Sequence, residues 1–219
     1  MKNAVTFIVE PDTGKVTVEV SGVSNRTVRQ LETDIGTGKS VNCGRPVQTA
    51  FTKPSPESSR DDAFSIWLYG LYHNSVVDGP GRRSVIRVAG CSLRCPGCYV
   101  PETHNRENGS LVPISSIVKE IVANRSQHDG VTILGGEPFD QAGSVAELVS
   151  RLNRLGLHIT VYTGNTIDTL ISRKDKSVDY ILTHIDLLID GPFIRKLKEE
   201  AGEYKGSRNQ RVISLRRNS

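Results

Sequence analysis

Three of the four cysteines in the chain fall within eight residues, and this cluster constrains the chain more than any other feature. Cys91, Cys95 and Cys98 have the spacing C-x3-C-x2-C in the run Gly-Cys-Ser-Leu-Arg-Cys-Pro-Gly-Cys. The proline and glycine between the last two cysteines permit a tight turn, so three thiolates can converge from one short loop. The clustering therefore favours a metal site over a disulfide framework.

Composition and charge narrow the class of protein. With 37% hydrophobic and 24% charged residues, the chain can bury a core, which excludes wholesale disorder. No apolar run approaches the roughly 18 residues that a membrane span needs, and the N-terminal residues lack the apolar core of a signal peptide. We therefore expect a cytoplasmic protein with no membrane partner. The net charge of +4, without a basic helix interleaved with aromatic residues, argues against nucleic-acid binding.

The chain divides into three predicted parts. Residues 1–38 form a small module in which Val5–Val9 and Lys15–Val20 alternate apolar and polar residues around a Pro-Asp-Thr-Gly turn. This pattern predicts a β-hairpin, and a short helix is predicted after it. Residues 39–63 are polar and rich in Ser, Thr, Pro and Gly, as in a linker or an extended arm. Residues 64–219 form the core domain.

The core domain alternates between strand and helix patterns. The predicted strands are Ser84–Ala89, Val131–Leu134, His158–Tyr162, Tyr180–Thr183, Asp186–Ile189 and Arg211–Leu215, and the predicted helices are Ile114–Asn124, Val145–Leu155 and Thr166–Arg173. This alternation indicates an α/β fold of βαβ units with a mostly parallel sheet, open or closed into a partial (β/α) barrel. Ligands bind at the carboxyl ends of such strands, where the cysteine cluster lies.

The cysteine loop suits two kinds of metal site. Iron–sulfur clusters are usually held by four cysteines, so three local thiolates leave either a distant fourth ligand or one iron open to a substrate or cofactor. Zinc is the alternative, because the three cysteines and His104 would make a Cys3His site. Zinc ligands usually come in pairs from two hairpins, whereas these cysteines all follow one strand, so the spacing favours iron–sulfur. Cys43 is interpreted as a bystander thiol.

The cysteine loop resembles the signature of the radical S-adenosylmethionine (SAM) enzymes, and further motifs on both sides of it extend the resemblance. The neighbouring motifs are Asp78-Gly79-Pro80-Gly81 before the loop, Tyr99 directly after it, Gly135-Gly136-Glu137-Pro138, Tyr162-Thr163-Gly164, and the tail segments Asp190-Gly191-Pro192-Phe193 and 206–211. The segment before the loop, 77–82, and the segment after it, 99–103, together resemble the subgroup that activates glycyl-radical enzymes. The tail resembles the anaerobic ribonucleoside-triphosphate reductase activating proteins. The motifs occur in the order of that family and cover roughly residues 75–215.

The resemblance implies a radical SAM oxidoreductase with two cofactors, a [4Fe–4S] cluster and S-adenosyl-L-methionine. It implies that Cys91, Cys95 and Cys98 bind the cluster and leave the fourth iron to the amino and carboxylate groups of SAM. Reductive cleavage of SAM would then give methionine and a 5′-deoxyadenosyl radical. The implied partners are a glycyl-radical enzyme, such as anaerobic ribonucleotide reductase, and a reduced flavodoxin- or ferredoxin-like electron donor.

The resemblance assigns the segment Gly135, Gly136, Glu137 and Pro138 to SAM binding. Two glycines after a strand let the backbone approach a ligand closely. Glu137, or the backbone next to it, is expected to bind the methionine ammonium group. A plain strand-ending turn is the alternative interpretation of these four residues.

Three further residues are candidate cofactor contacts. Tyr99 is expected to pack near the adenine, because this chain has Gly97 where many family members have an aromatic residue. Thr163 is a candidate for the ribose or the methionine carboxylate, with a core-edge threonine as the alternative. Asp190 ends a buried strand, where an unpaired carboxylate is costly, so it either binds a cation or polar ligand or caps the following Gly-Pro turn.

The expected function is therefore activation of a glycyl-radical enzyme, and three alternatives stay open. The N-terminal module could recruit a different protein partner for the same chemistry. The chain could instead be an iron–sulfur electron-transfer or sensing protein without SAM turnover, or a zinc-stabilised interaction protein. The core domain of about 155 residues is short for a full barrel, which favours a partial barrel with an open side for a polypeptide substrate.

Overall fold

A computed structural model of the chain describes residues 4–9, 16–21 and 64–215. The chain separates into two compact units, Met1–Pro46 and Val47–Ser219. In the first unit, β1 (Ala4–Val9) and β2 (Val16–Ser21) pair antiparallel, and both agree with the predicted strands within one residue. The predicted helix after them, the predicted arm and Cys43 lie outside the described residues. The predicted domain limits therefore stay predictions.

The second unit alternates strands and helices through residues 64–215. Its strands are β3 (Ser65–Ser75), β4 (Arg83–Val88), β5 (Ser110–Pro113), β6 (Gly130–Gly135), β7 (His158–Tyr162), β8 (Leu187–Asp190) and β9 (Arg211–Ser214). Its α-helices are α1 (Ile114–Ala123), α2 (Ala142–Arg154), α3 (Ile167–Ser172) and α4 (Lys176–His184). Short 3₁₀ helices lie at Pro101–His104, Arg106–Asn108, Arg125–Gln127, Pro138–Gln141 and Arg195–Leu197. No helix in the described residues has the length and apolar character needed to cross a bilayer.

The seven strands form one mixed sheet in the order β5-β3-β4-β6-β7-β8-β9. The central strands β4, β6, β7 and β8 are parallel, while β3, β5 and β9 join antiparallel at the two sides. Each parallel strand takes the next place along the sheet, which requires a crossover through helices. These helices also contact one another, α1 with α2 and α2 with α4. The predicted α/β class is confirmed, and the sheet is open with a parallel centre.

The apolar core lies between one face of the sheet and the helices. Alternate strand residues point to this face, because successive side chains of a strand point to opposite faces. They meet apolar residues that recur every three or four positions along the helices. The members from the central strands are Ile86, Val88, Val131, Ile133, Ile159 and Val161, and those from α1 and α2 include Ile117, Ile121, Val145, Leu148 and Leu152. Each of these side chains contributes roughly 1.5–3 kcal/mol through burial.

The opposite face of the parallel strands carries the fully buried Arg83 at its amino end. The Arg83 guanidinium donates to Thr132 Oγ1 and Thr160 Oγ1, both at 3.0 Å, and to three backbone carbonyls. Burial lowers the pKa of Arg83 to about 10. Thr132 Oγ1 also donates to the Asp78 carbonyl at 2.6 Å, so the segment 78–82 covers the amino-end half of this face. Because that half is covered, the carboxyl ends of the strands are the part of the face left for a ligand.

The predicted strand Tyr180–Thr183 is wrong, because these residues belong to helix α4. Asp175 caps this helix by accepting a hydrogen bond from the Ser177 backbone N–H at 2.7 Å. The apolar residues Val178 and Ile181 are buried three positions apart, which is helical spacing. The short apolar run that suggested a strand is the buried side of a helix.

Strands β3 and β5 were not predicted. The register of β3 against β4 shifts between Leu68 and Gly70 and again between Tyr72 and Ser75. Such bulges break the alternation of apolar and polar residues by which a strand is recognised in sequence. Strand β5 has only four residues, too few to show a pattern.

Candidate functional site

A cavity of about 510 Å³ opens at the carboxyl ends of β4, β6 and β7. Its lining comes from residues 77–78, from the cysteine loop and the turn after it, from residues 134–137, from residues 162–164, and from a C-terminal segment that includes Phe193 and residues 204–206. The volume lies in the range of about 300–1,000 Å³ that is usual for small-molecule sites. Its position is the one where ligands bind in sheets of this kind.

All three clustered cysteines line this cavity. Each is half-buried, and none is in a disulfide. The loop is held by its backbone, because the Cys91 N–H donates to the His104 carbonyl at 3.0 Å and the Cys98 N–H donates to the Cys95 carbonyl at 3.1 Å. Burial raises the pKa of the Cys91 thiol, and the backbone N–H groups of Arg94 and Leu93 act in the opposite direction. The structure thus brings the three predicted metal ligands to one wall.

The three thiols form a donor set that fits an iron–sulfur cluster. A cubane cluster takes each thiolate on a separate iron, so its ligands do not have to meet at one ion. A structural zinc ion needs four ligands around a single centre. In the described part of the chain, no three His, Cys, Asp or Glu side chains converge in the manner of a single-ion site. Three thiols that line one cavity match the requirement of the cluster.

The segment after β6 packs directly on the backbone of the cysteine loop. The Gly136 N–H donates to the Val88 carbonyl and the Glu137 N–H donates to the Gly90 carbonyl, both at 2.8 Å. A Cβ at Gly136 would collide with the Gly90 backbone, and Gly135 has φ +111. Both positions therefore need glycine, one for the close approach and one for its conformation. The pair holds the cysteine loop against the sheet.

Glu137 has a buried carboxylate that joins the ends of β6 and β7. It is only 1% exposed, and it accepts hydrogen bonds from the N–H groups of Phe139 and Gly164 at 3.0 and 2.9 Å. The hydroxyl of Thr163 donates to both of its oxygens, at 2.9 and 3.0 Å. Burial raises the pKa of Glu137 to about 7, although these donors act to lower it. Glu137 and Thr163 line the cavity, but their nearest partners are each other. The next residue, Pro138, is buried at the start of a 3₁₀ helix.

The raised pKa of Glu137 predicts a pH dependence of stability. The folded carboxyl holds its proton more tightly than the unfolded one, so this group favours folding most below pH 4.5 and loses that contribution as the pH rises to about 7. The loss is about 3 kcal/mol. We expect chemical denaturation of the unliganded protein between pH 4.5 and 8 to show this slope, and Glu137→Gln to lack it. Exposed Glu107→Gln is the control and should keep the slope; a slope that persists in Glu137→Gln would contradict the assignment.

Asp190 is fully buried, and its partners are internal. Its two oxygens accept from Arg211 Nε at 2.9 Å and Nη2 at 2.6 Å, and Oδ2 also accepts from the Ile167 N–H at 2.7 Å. A buried carboxylate needs such pairing, and the Ile167 bond lies at the first turn of α3. The structure does not bring Asp190 into the cavity lining. These partners account for its burial without a ligand.

Tyr99 lies at the rim of the cavity. Its side chain is 63% exposed, and its ring centroid is 4.6 Å from that of Phe193, which also lines the cavity. Paired aromatic rings at a rim can pack against a flat heterocycle. Gly97 has φ +73, and a Cβ there would meet the side chain of Arg195, so an aromatic residue at that position would be strained. The rim therefore offers Tyr99 and Phe193 as the aromatic contacts.

Three polar residues of the cavity were not predicted as contacts. Asp78 Oδ2 accepts from the hydroxyls of Tyr72 at 2.8 Å and Ser75 at 2.5 Å. His104 Nε2 and Tyr162 Oη are buried and have no hydrogen-bond partner among the described residues. In the sequence, His104 was a candidate only as a zinc ligand and Tyr162 was named only within a motif, although the position of Tyr162 at a strand end was a signal. Buried polar atoms are nearly always satisfied, so unpartnered ones in a cavity fit a bound group.

Comparison with known proteins agrees with this geometry. The 4Fe-4S single cluster domain family matches residues 77–213. The anaerobic ribonucleoside-triphosphate reductase-activating protein of Escherichia coli (strain K12) is 32% identical over 154 residues, which cover 66% of this chain and 96% of that protein. The pyruvate formate-lyase-activating enzyme of Staphylococcus epidermidis is 29% identical over 127 residues, 56% of this chain and 51% of that protein. The crystal structure of QueE from Escherichia coli has 18% identity and a TM-score of 0.39, covering 47% of this chain and 53% of that one.

The fold and the site define a class of enzyme that builds its active centre around a cysteine loop at the carboxyl edge of a parallel sheet. The chain belongs to the 4Fe-4S single cluster domain family and is a radical SAM enzyme, with a [4Fe–4S] cluster and SAM as its cofactors. The resemblance found in the sequence is confirmed.

Proposed function

We propose that this protein activates a glycyl-radical enzyme, with anaerobic ribonucleoside-triphosphate reductase as the first candidate. The observation that supports it is one cavity lined both by the three clustered cysteines and by the Gly135–Gly136 backbone. When bound, the cluster and SAM supply a 5′-deoxyadenosyl radical, which removes a hydrogen atom from a glycine of the partner. Similarity over 96% of the length of the Escherichia coli activating protein supports the choice of partner.

The roles of the residues belong to the same proposal. Cys91, Cys95 and Cys98 hold the cluster. The backbone of Gly135 and Gly136 borders the amino-acid end of SAM. The carboxylate of Glu137 contributes negative potential next to the methionine ammonium, while the Thr163 hydroxyl keeps that carboxylate in place.

Access for a polypeptide comes from the C-terminal side of the cavity. Gln210 Oε1 accepts from the Gly206 N–H at 2.7 Å, and Gln210 Nε2 donates to the Gly191 carbonyl at 2.9 Å. These bonds hold the segment that carries Tyr204 and Lys205 at the edge of the cavity. A polypeptide loop can approach across this edge and Tyr99, which is largely exposed.

A second candidate keeps the chemistry and changes the partner. The family match begins at residue 77, so the N-terminal part lies outside it, and the Escherichia coli relative aligns with 66% of this chain. Such an added module could recruit another protein substrate. The proposal has two further parts. The electron donor is a reduced flavodoxin- or ferredoxin-like protein. The location is the cytoplasm, where cysteines stay reduced.

Anaerobic reconstitution tests the function. We expect about four irons per chain, cleavage of SAM to 5′-deoxyadenosine with a strong reductant, and an electron paramagnetic resonance signal of a glycyl radical on the anaerobic reductase of the same organism. Cleavage of SAM without a radical on that reductase would support the second candidate. A cluster without SAM cleavage would contradict both candidates, and so would zinc in place of iron.

A further inference from the structure

Tyr162 is the last residue of β7, and its side chain lines the cavity. Its hydroxyl is buried and has no hydrogen-bond partner in the part of the chain that the structure describes. Leaving a buried hydroxyl unsatisfied costs free energy, whereas phenylalanine would fill the same space without that cost. The hydroxyl therefore suits a partner that the chain itself does not supply.

The hydroxyl is protonated and able to donate. Burial raises the pKa of Tyr162 well above its ordinary value, and the negative charge of Asp78 raises it further. The positive charge of Arg83 acts in the opposite direction but is the weaker influence. The phenol can therefore donate to an acceptor atom of a ligand at this point.

The sheet register places Tyr162 beside the proposed SAM-binding segment. Strands β6 and β7 are parallel, with Ile133 next to Val161, so the following residue of each strand is Leu134 and Tyr162. Leu134 directly precedes Gly135, and both line the same cavity as Tyr162. A ligand that rests on the glycine backbone is therefore the nearest candidate for the phenol.

Asp78 limits what that acceptor can be. Its Oδ2 accepts from Tyr72 and Ser75, while its Oδ1, on the side chain that lines the cavity, accepts no hydrogen bond from the described residues. A carboxylate bound beside Tyr162 would be repelled by Asp78. A hydroxyl group can accept from the phenol and donate to the carboxylate at once, and acidic residues commonly accept from ribose hydroxyls.

We propose that Tyr162 donates a hydrogen bond to the ribose diol of SAM and that Asp78 Oδ1 accepts one from the same diol. The inference rests on the proposed function, because it takes SAM as the ligand. It makes Tyr162 a residue that positions the nucleoside end of SAM, with Asp78 selecting a neutral hydroxyl group over an anion.

The test is equilibrium binding to the cluster-loaded protein with S-adenosylhomocysteine, which carries the same ribose and has no sulfonium bond to cleave. Tyr162→Phe removes only the hydroxyl, and we expect its affinity to fall about five- to tenfold. Wild type and variant should bind the 2′,3′-dideoxy analogue equally. Tyr180→Phe is the matched control, because Tyr180 stacks on His184 in helix α4 and does not line the cavity; its affinity should not change.

A second readout separates ligand binding from a structural role. Because the hydroxyl has no partner among the residues that the structure describes, Tyr162→Phe should melt at the same temperature as the wild type or higher. A lower melting temperature would overturn the proposal, since the hydroxyl would then have a partner within the protein. Equal affinity of wild type and variant for S-adenosylhomocysteine would also overturn it, as would a defect confined to binding of the polypeptide partner. If the variant loses affinity but the wild type cleaves no SAM, the proposed function fails and this inference stands.

Discussion

Replacing Cys91, Cys95 or Cys98 with serine, one at a time, is expected to abolish both the cluster and the cleavage of SAM. The three thiols line one cavity, and a loop with only two of them cannot hold a cluster that needs a thiolate on each of three irons. Bound iron should fall from about four per chain to less than one, and formation of 5′-deoxyadenosine should fall by at least about 100-fold. Iron analysis, visible absorption and chromatography of the products measure these changes.

The control is Cys43→Ser, the same substitution at the remaining cysteine of the chain. We expect it to retain iron and activity. Loss of the cluster in this variant would show that Cys43 is a ligand, and would contradict the assignment of the fourth iron to SAM. Melting temperatures of the metal-free proteins should be similar for all four variants, because serine is close to cysteine in size.

Gly136→Ala has the second largest expected effect. The added Cβ would collide with the backbone of Gly90, and backbone cannot rotate away as a flexible side chain can. The hydrogen bonds from the N–H groups of Gly136 and Glu137 to the carbonyls of Val88 and Gly90 would lengthen or break. We expect the free energy of unfolding to fall by about 2–4 kcal/mol, within the range of strongly destabilising substitutions. The melting temperature should fall by roughly 5–15 °C, and cluster content should fall as the loop shifts.

Gly143→Ala is the matched control for this substitution. Gly143 lies in helix α2, and a Cβ there would meet no atom within 4 Å. Alanine favours a helix over glycine by about 0.5–1 kcal/mol, so this variant should be as stable as the wild type or more stable. If Gly136→Ala has the melting temperature of the wild type and reconstitutes a full cluster, the cysteine loop does not depend on this contact.

Much of the site was predictable because its chemistry is local in sequence. The spacing of the three cysteines depends on one loop, and the need for glycine at positions 135 and 136 depends on one strand end. The strands β6 and β7 were predicted within one or two residues, since short apolar runs bounded by turn residues describe buried parallel strands well. The order of these elements then placed the motifs at the same edge of the sheet.

Other features depend on contacts between distant residues and were missed for that reason. Residues 180–183 look like a strand by composition, but packing of Val178 and Ile181 against the core makes them part of a helix. Bulges in β3 hide its pattern, because they fit the strand to β4 rather than to a regular repeat. Local pattern cannot contain this information.

Spacing and residue type alone were enough to identify the kind of cofactor. The three thiolates lie on one loop and the two glycines follow one strand, so each feature is complete within a few residues of sequence. Three-dimensional packing was needed to assign the partner of each polar group. Thr163 meets Glu137 across 26 residues, and Asp190 meets Arg211 across 21. Among the described residues, the buried Tyr162 hydroxyl lines the cavity without a hydrogen-bond partner. Burial and neighbours determine what a polar group can bind, and they exist only in the folded chain.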